Sequence, residues 1–273
     1  MIGHQPKLER CEVGGIAFWT DTALVRDLGV RVAFSERCGG TSVAPYASLN
    51  LAAHVDDAPQ AVDANRSALL GALGLGELRA RLTMAEQTHG EAIVVVDDSN
   101  AGSGAYAASG RAPLPATDAL LTTLRGTPLA LCFADCVPIV LVAPGPGVAV
   151  VHAGWKGALA SLPGQAVARL AETAGCGPQQ IVAYMGAHVR DCHYAVDETI
   201  LSQFVNTFGT FARADSGGLD LDAIVSASLD LAGVAQCNIV RLGVCSAEAT
   251  GRFYSYRAEA GVTGRHAALA CIR

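Results

Sequence analysis

No run of lysine or arginine occurs in this chain, and its formal charge is −6. A general nucleic-acid binder needs a basic patch to neutralise phosphates, so that class is set aside. No apolar run approaches the roughly 20 residues that a membrane helix requires. The first residues, Met1-Ile2-Gly3-His4-Gln5-Pro6-Lys7, lack the charged region, apolar stretch and cleavage site of a secretory signal. Internal repeats and low-complexity linkers are missing, and so are the CxxC and HExxH spacings that would announce a metal by themselves. A cytoplasmic protein is expected, acting as a monomer on a small molecule, with neither nucleic acid nor membrane as partner.

What is present fits that expectation. The 273 residues are 51% apolar, enough to bury a large core, and residues 1–273 read economically as one domain. Nine cysteines, an odd number, are scattered through the chain instead of packed into a small framework. That pattern argues for reduced thiols, most of them in the core.

Periodicity and turn formers give a mixed order of elements. Residues 14–20, 30–34, 93–96, 129–133, 139–142, 148–151, 181–186, 253–257 and 267–272 read as strands, and 58–73, 158–174, 198–208 and 221–231 as helices. The stretch 99–115, filled with Ala, Gly, Ser and Pro, reads as a long mobile loop. Such an order favours an α+β fold, mixed β-sheets flanked by helices, over a regular βαβ winding.

Three short stretches carry the chemistry: Gln87-Thr88-His89-Gly90, Ala134-Asp135-Cys136, and Val151-His152-Ala153-Gly154-Trp155-Lys156-Gly157. Each sets a soft or borderline metal ligand at the end of an apolar strand. His89, Cys136 and His152 would leave a fourth position open, which distinguishes a catalytic zinc from a structural one. Pro144-Gly145-Pro146-Gly147 is a strong turn signal. Folding back there makes 139–142 and 148–151 an antiparallel hairpin, with His152 opposite the region of Val137 and Pro138 and within reach of Cys136.

Taken singly, each residue has a plainer reading: a hydrogen-bonded histidine for His89, a core thiol for Cys136, a capping carboxylate for Asp118, a turn former for Asp135, and packing for Trp155. Lys156, at the start of a small-residue helix, is the candidate phosphate ligand. Asn50, Arg66, Arg257 and Arg265 are candidate substrate or anion contacts. Cys192 and His193 either line the pocket or merely sit near it.

Cys38-Gly39-Gly40-Thr41-Ser42, Tyr46-Ala47-Ser48-Leu49-Asn50-Leu51, Asn65-Arg66, Gln87-Thr88-His89-Gly90, Thr117-Asp118-Ala119-Leu120, Ala134-Asp135-Cys136-Val137-Pro138 and His152-Ala153-Gly154-Trp155-Lys156-Gly157 occur in this order. With Phe253-Tyr254-Ser255-Tyr256-Arg257 and Thr263-Gly264-Arg265, they resemble the laccase-domain family, also called polyphenol-oxidase-type purine nucleoside phosphorylases. The resemblance spans nearly the whole chain. It implies a fold likened to toxin cysteine hydrolases, with zinc held by His89, Cys136 and His152.

The implied activity is phosphorolysis of adenosine, inosine and methylthioadenosine to a free base and ribose 1-phosphate, together with adenosine deamination. Asp135 is the carboxylate expected to move protons beside a zinc-activated water. Thr88, Lys156, Ala187 and Ala195 depart from the family pattern, and Lys156 lacks the bidentate fork of the arginine common there. Three other readings stand beside this one. The first is a cysteine hydrolase with Cys136 as nucleophile and His152 as base. The second is a copper-dependent phenol oxidase, poorly supported because multinuclear copper needs many more clustered histidines. The third is a peptidoglycan editing factor.

Overall fold

Apolar side chains on both faces of the central strands build two sheets whose middles are buried on both sides. The structure, a computed structural model, describes residues 5–273. In chain order its elements are β1 (Glu9–Val13), β2 (Ile16–Thr20), α1 (Thr22–Leu28), β3 (Val30–Ser35), α2 (Pro59–Ala72), β4 (Ile93–Val95), β5 (Ala119–Thr122), β6 (Leu129–Phe133), β7 (Val137–Ala143), β8 (Gly147–Ala153), α3 (Trp155–Leu159), α4 (Leu162–Ala174), β9 (Val182–Met185), α5 (Glu198–Phe208), α6 (Leu221–Leu231), β10 (Ile239–Arg241) and β11 (His266–Ile272). One sheet runs β1-β2-β3-β11-β6 and is antiparallel; the other runs β10-β9-β7-β8-β5-β4, with β10/β9 and β4/β5 parallel.

In β11, Ala267, Leu269 and Cys271 face the layer containing α2, whereas Ala268, Ala270 and Ile272 join the layer between the sheets. In β7, Val140 and Val142 point into that same inter-sheet layer, and Val137, Ile139 and Leu141 point to the layer packed by α4, α5 and α6. The result is helix, sheet, sheet, helix. A strand covered on both sides must be apolar throughout, which is why β5 to β8 read as uninterrupted hydrophobic runs. The α+β expectation is borne out.

Several local expectations are corrected. The run 158–174 is not one helix: Ser161 adopts φ 57° and Pro163 follows in the first turn of α4, so the chain restarts there. Residues 253–257 form a turn instead of a strand. Glu259 accepts hydrogen bonds from the Ser255 N–H and the Thr263 hydroxyl, and Ser255 Oγ accepts from the Ala258 N–H, so local bonds replace a ladder.

The 99–115 stretch is pinned, not mobile. Arg66 donates to the carbonyls of Gly104 and Ala105, Asp63 accepts from the N–H groups of Ala107 and Ala108, and Gly102 N–H donates to Thr83. The cysteines also depart from expectation: all nine are free, but only Cys132, Cys245 and Cys271 are buried. No helix among the described residues is long and apolar enough to cross a membrane.

Glu36, directly after β3, ties the 250s turn to the first sheet. Its carboxylate, 2% exposed, accepts from Arg10, Arg252 and the Trp19 indole N–H at 2.7–3.1 Å. Burial opposes the charge, but these three partners hold the carboxyl below its usual range. Stability from this group is therefore present above its unfolded pKa and is lost as pH falls through the lower folded value. Glu36→Gln is expected to cost about 2–4 kcal/mol at neutral pH, with the gap from wild type closing in acid. Urea melts at pH 7 and pH 3.5 check this; an equal gap at both values counts against it.

Candidate metal centre and active-site cavity

The Pro-Gly-Pro-Gly turn sets the hairpin in register, pairing Pro138 with His152 and Val137 with Ala153. Cys136 lies just beyond the ladder, two positions from Pro138 and hence on the same face. That face is the inter-sheet layer, so thiol and imidazole meet where the two sheets open. His89 arrives from the other side on the 87–90 loop, and its ring sits edge-on to that of His152 at 4.9 Å between centroids. Gln87 anchors this loop to β6 by a reciprocal pair with the Cys132 backbone, both bonds 2.8 Å.

The ligand atoms of His89, Cys136 and His152 all lie within 4.8 Å of one another. Two of the nearby backbones are held in the left-handed region, His89 at φ 58° and Asp135 at φ 91°. Non-glycine residues seldom adopt this conformation, and it clusters at functional sites.

Asp118, immediately before β5, organises the trio. Its Oδ1 accepts from His152 Nδ1 at 2.8 Å and from the His89 N–H at 3.0 Å; its Oδ2 accepts from the Gly90 N–H at 2.7 Å and the Thr88 N–H at 3.2 Å. The carboxylate therefore turns His152 so that Nε2 remains for an ion, the carboxylate–histidine arrangement of metal sites. Burial alone would push the Cys136 thiol up, yet His152 and His89 hold it down at about 6. Burial would likewise lower His152, but the Cys136 thiolate and Asp118 raise it to about 9. Zinc takes thiolate and imidazole donors at about 2.0–2.3 Å, so one sulfur and two nitrogens grouped within 4.8 Å fit that ion by chemistry.

The trio borders a cavity of about 500 Å³, walled also by Asp135, Trp155, Tyr194, Tyr256, Arg257 and Arg265. Asp135 accepts from the Ser246 hydroxyl and from the Arg257 N–H, each at 2.7 Å. Arg257 lies over the Tyr194 ring and Arg265 over the Tyr256 ring, so both cations sit against aromatic faces at the cavity wall.

Other expected contacts lie elsewhere. Asn50 is fully buried and spends its amide on Ala52, Asp57 and the Arg265 N–H. Arg66 is committed to backbone carbonyls, although it borders a neighbouring cavity of about 430 Å³. Lys156 is exposed, with its ammonium 5.6 Å from the Trp155 ring, on a helix of only five residues, and is not among the residues that line the site cavity. Cys192 and His193 do not line it either; their neighbour Tyr194 does.

His54, Asp118, Ser246, Tyr194 and Tyr256 are contributors missed from sequence. A carboxylate at the start of a buried strand was the one available signal, and it reads equally as a cap. Gly154 has a tighter constraint: a Cβ there would stand 2.9 Å from the His89 ring and 3.2 Å from Cys136 Sγ. Gly154→Ala is expected to displace His89 and to lower affinity for an added divalent ion at least ~10-fold while leaving the melting temperature within a few degrees. Competition with a chromogenic chelator measures it.

An α/β/β/α sandwich with a candidate thiol–imidazole ion site at the mouth of its inter-sheet layer is thus the class that fold and site define. The chain belongs to the family described as multi-copper polyphenol oxidoreductase laccase, whose model matches residues 31–273. It is similar to a Corynebacterium glutamicum protein named purine nucleoside phosphorylase Cgl2154/cg2365, 38% identical over 248 residues covering 89% of this chain and 95% of that one. A Streptomyces coelicolor protein named purine nucleoside phosphorylase SCO2081 is 38% identical over 242 residues, covering 87% and 93%. Among solved structures, YlmD from Geobacillus stearothermophilus superposes with a TM-score of 0.88 at 32% identity, covering 98% of this chain and 100% of that one. The YfiH protein of Bacillus licheniformis gives 0.86 at 29%, covering 96% and 98%.

Proposed function

We propose that residues 1–273 act as one catalytic domain, a zinc-dependent purine nucleoside phosphorylase that also deaminates adenosine. The observation carrying this reading is the convergence of His89, Cys136 and His152, with Asp118 behind them, on a cavity of about 500 Å³. That volume falls in the range of small-ligand sites. The names of the relatives supply the reaction class.

In this reading Trp155, Tyr194 and Tyr256 present the flat surfaces against which a purine stacks. Phosphate goes to Arg257 and Arg265, which line the cavity, in place of the exposed Lys156 and the buried Asn50 and Arg66. One phosphate oxygen attacks the ribose C1′, the bond from C1′ to the purine nitrogen breaks, and its electron pair leaves with the base. Asp135, the one carboxylate lining the cavity among the described residues, is the group that shuttles protons there. The ion held by His89, Cys136 and His152 would supply Lewis acidity. A donor set of one thiol and two imidazoles suits zinc better than multinuclear copper, which needs additional histidines.

The test is release of hypoxanthine from inosine with and without phosphate, alongside ammonia release from adenosine. Base that appears only with phosphate supports the reading. No base at saturating phosphate in zinc-replete protein rejects it.

A further inference from the structure

The sequence places Cys192-His193 and Cys245-x-x-Glu248 more than fifty residues apart, and the fold brings them to one spot outside the cavity wall. His193 Nδ1 stands 3.2 Å from Cys192 Sγ, 3.9 Å from Cys245 Sγ and 3.6 Å from Glu248 Oε1, and Cys192 Sγ is 3.4 Å from the same glutamate oxygen. The Cys192, His193 and Cys245 ligand atoms all lie within 4.8 Å of one another.

A tetrahedral zinc with bonds of about 2.0–2.3 Å has edges of roughly 3.3–3.8 Å between its donors. The four separations given, 3.2–3.9 Å, fall close to that range; Glu248 stands outside the group of three, near Cys192 and His193 but not Cys245, so its exposed side chain would swing inward to complete the set. The Arg190 N–H points at Cys245 Sγ from 3.4 Å, the backbone donor that a sulfur ligand commonly receives. Glu248 has no lysine or arginine partner among the described residues, so its charge is left for an ion or for His193.

We propose that Cys192, His193, Cys245 and Glu248 form a second zinc site, closed by four protein ligands and therefore structural instead of catalytic. Two thiolates and a carboxylate would bring three negative charges together, which a dication offsets. Its position gives it a purpose. Cys192 and His193 precede Tyr194, which walls the cavity, while Cys245 precedes Ser246, whose hydroxyl donates to Asp135. An ion here would clamp the two loops that bring Tyr194 and Ser246 to the first site.

This inference stands apart from the reaction assigned above, because its readout is metal content. Full-length protein purified without chelator is expected to carry about two zinc ions per chain by elemental analysis. A Cys192→Ser/Cys245→Ser protein is expected to carry about one, and so is Cys136→Ala, each losing a different ion. His193→Asn and Glu248→Gln, at exposed positions where folding is safe, are expected to weaken retention of the second ion during dialysis against a mild chelator. Unchanged zinc in the Cys192→Ser/Cys245→Ser protein overturns the proposal. So does a Cys192–Cys245 disulfide, found by mass spectrometry of unreduced peptides, in protein holding a single zinc.

Discussion

Replacing Cys136 with alanine is expected to abolish phosphate-dependent base release, by ~1000-fold or more, and to remove one zinc ion. Loss of an outer partner of a metal ligand typically costs about 10–100-fold, and a direct ligand at the only sulfur of the trio should cost more. The fold should survive, because Cys136 stands outside the β7/β8 ladder and its removal leaves the hairpin register intact. Circular dichroism and melting temperature therefore belong beside the assay. A Cys136→Ala protein with full phosphorolysis would remove the site from the mechanism.

The same substitution does not separate phosphorolysis from the cysteine-hydrolase reading, because both need the Cys136 thiol. One observation favours that reading: the Cys136 thiol and the His152 imidazole stand within 4.8 Å of each other, and their proximity holds the thiol down at about 6 and the imidazole up at about 9. A nucleophilic thiolate beside a protonated base has this appearance, and so does an ion site ready to accept a dication. Alkylation decides between them. If zinc shields Cys136 from iodoacetamide and zinc-loaded protein turns over, the thiol is a ligand. If metal-free protein turns over and alkylation stops it, the thiol is the nucleophile.

The difference between what could and could not be read from sequence follows the distance over which each feature is determined. Helices α5 and α6 were legible to the residue because Asp197 and Asp220 cap them locally and their apolar spacing is regular. The hairpin was legible because a Pro-Gly-Pro-Gly turn sets its register within the same segment. That register in turn put Cys136 beside His152.

Features that depend on remote pairing were not legible. The antiparallel pairing of β5 with β8 brings Asp118 next to His152, and nothing in the isolated residues 117–120 signals it. Glu259, four residues beyond Ser255, converts an aromatic run that reads as a strand into a turn. The pinning of residues 99–115 needs Asp63 and Arg66 from α2, and small-residue composition alone reads as freedom.

Asp118 therefore carries the second large prediction. It is fully buried and accepts from three consecutive backbone N–H groups, the Thr88 hydroxyl and the His152 ring. Burial opposes its charge, but these donors outweigh that cost and hold the carboxyl below its ordinary range. Asp118→Ala leaves buried donors unpaired at about 1–3 kcal/mol each and frees both the 88–90 loop and the His152 ring. Asp118→Asn is the more informative change. Its amide oxygen can still accept from His152 Nδ1, but its NH₂ faces the N–H groups that Oδ2 once satisfied. The asparagine protein should keep its fold with a lowered melting temperature, bind zinc ~10–100-fold more weakly, and recover most of its kcat when zinc is raised. A merely structural carboxylate would lower the melting temperature and leave zinc affinity unmoved, so titration with a competing chelator distinguishes the two. Because His152 takes its orientation from this one oxygen, weakened zinc binding in the asparagine protein, without unfolding, is the result expected if the ion site is built as described.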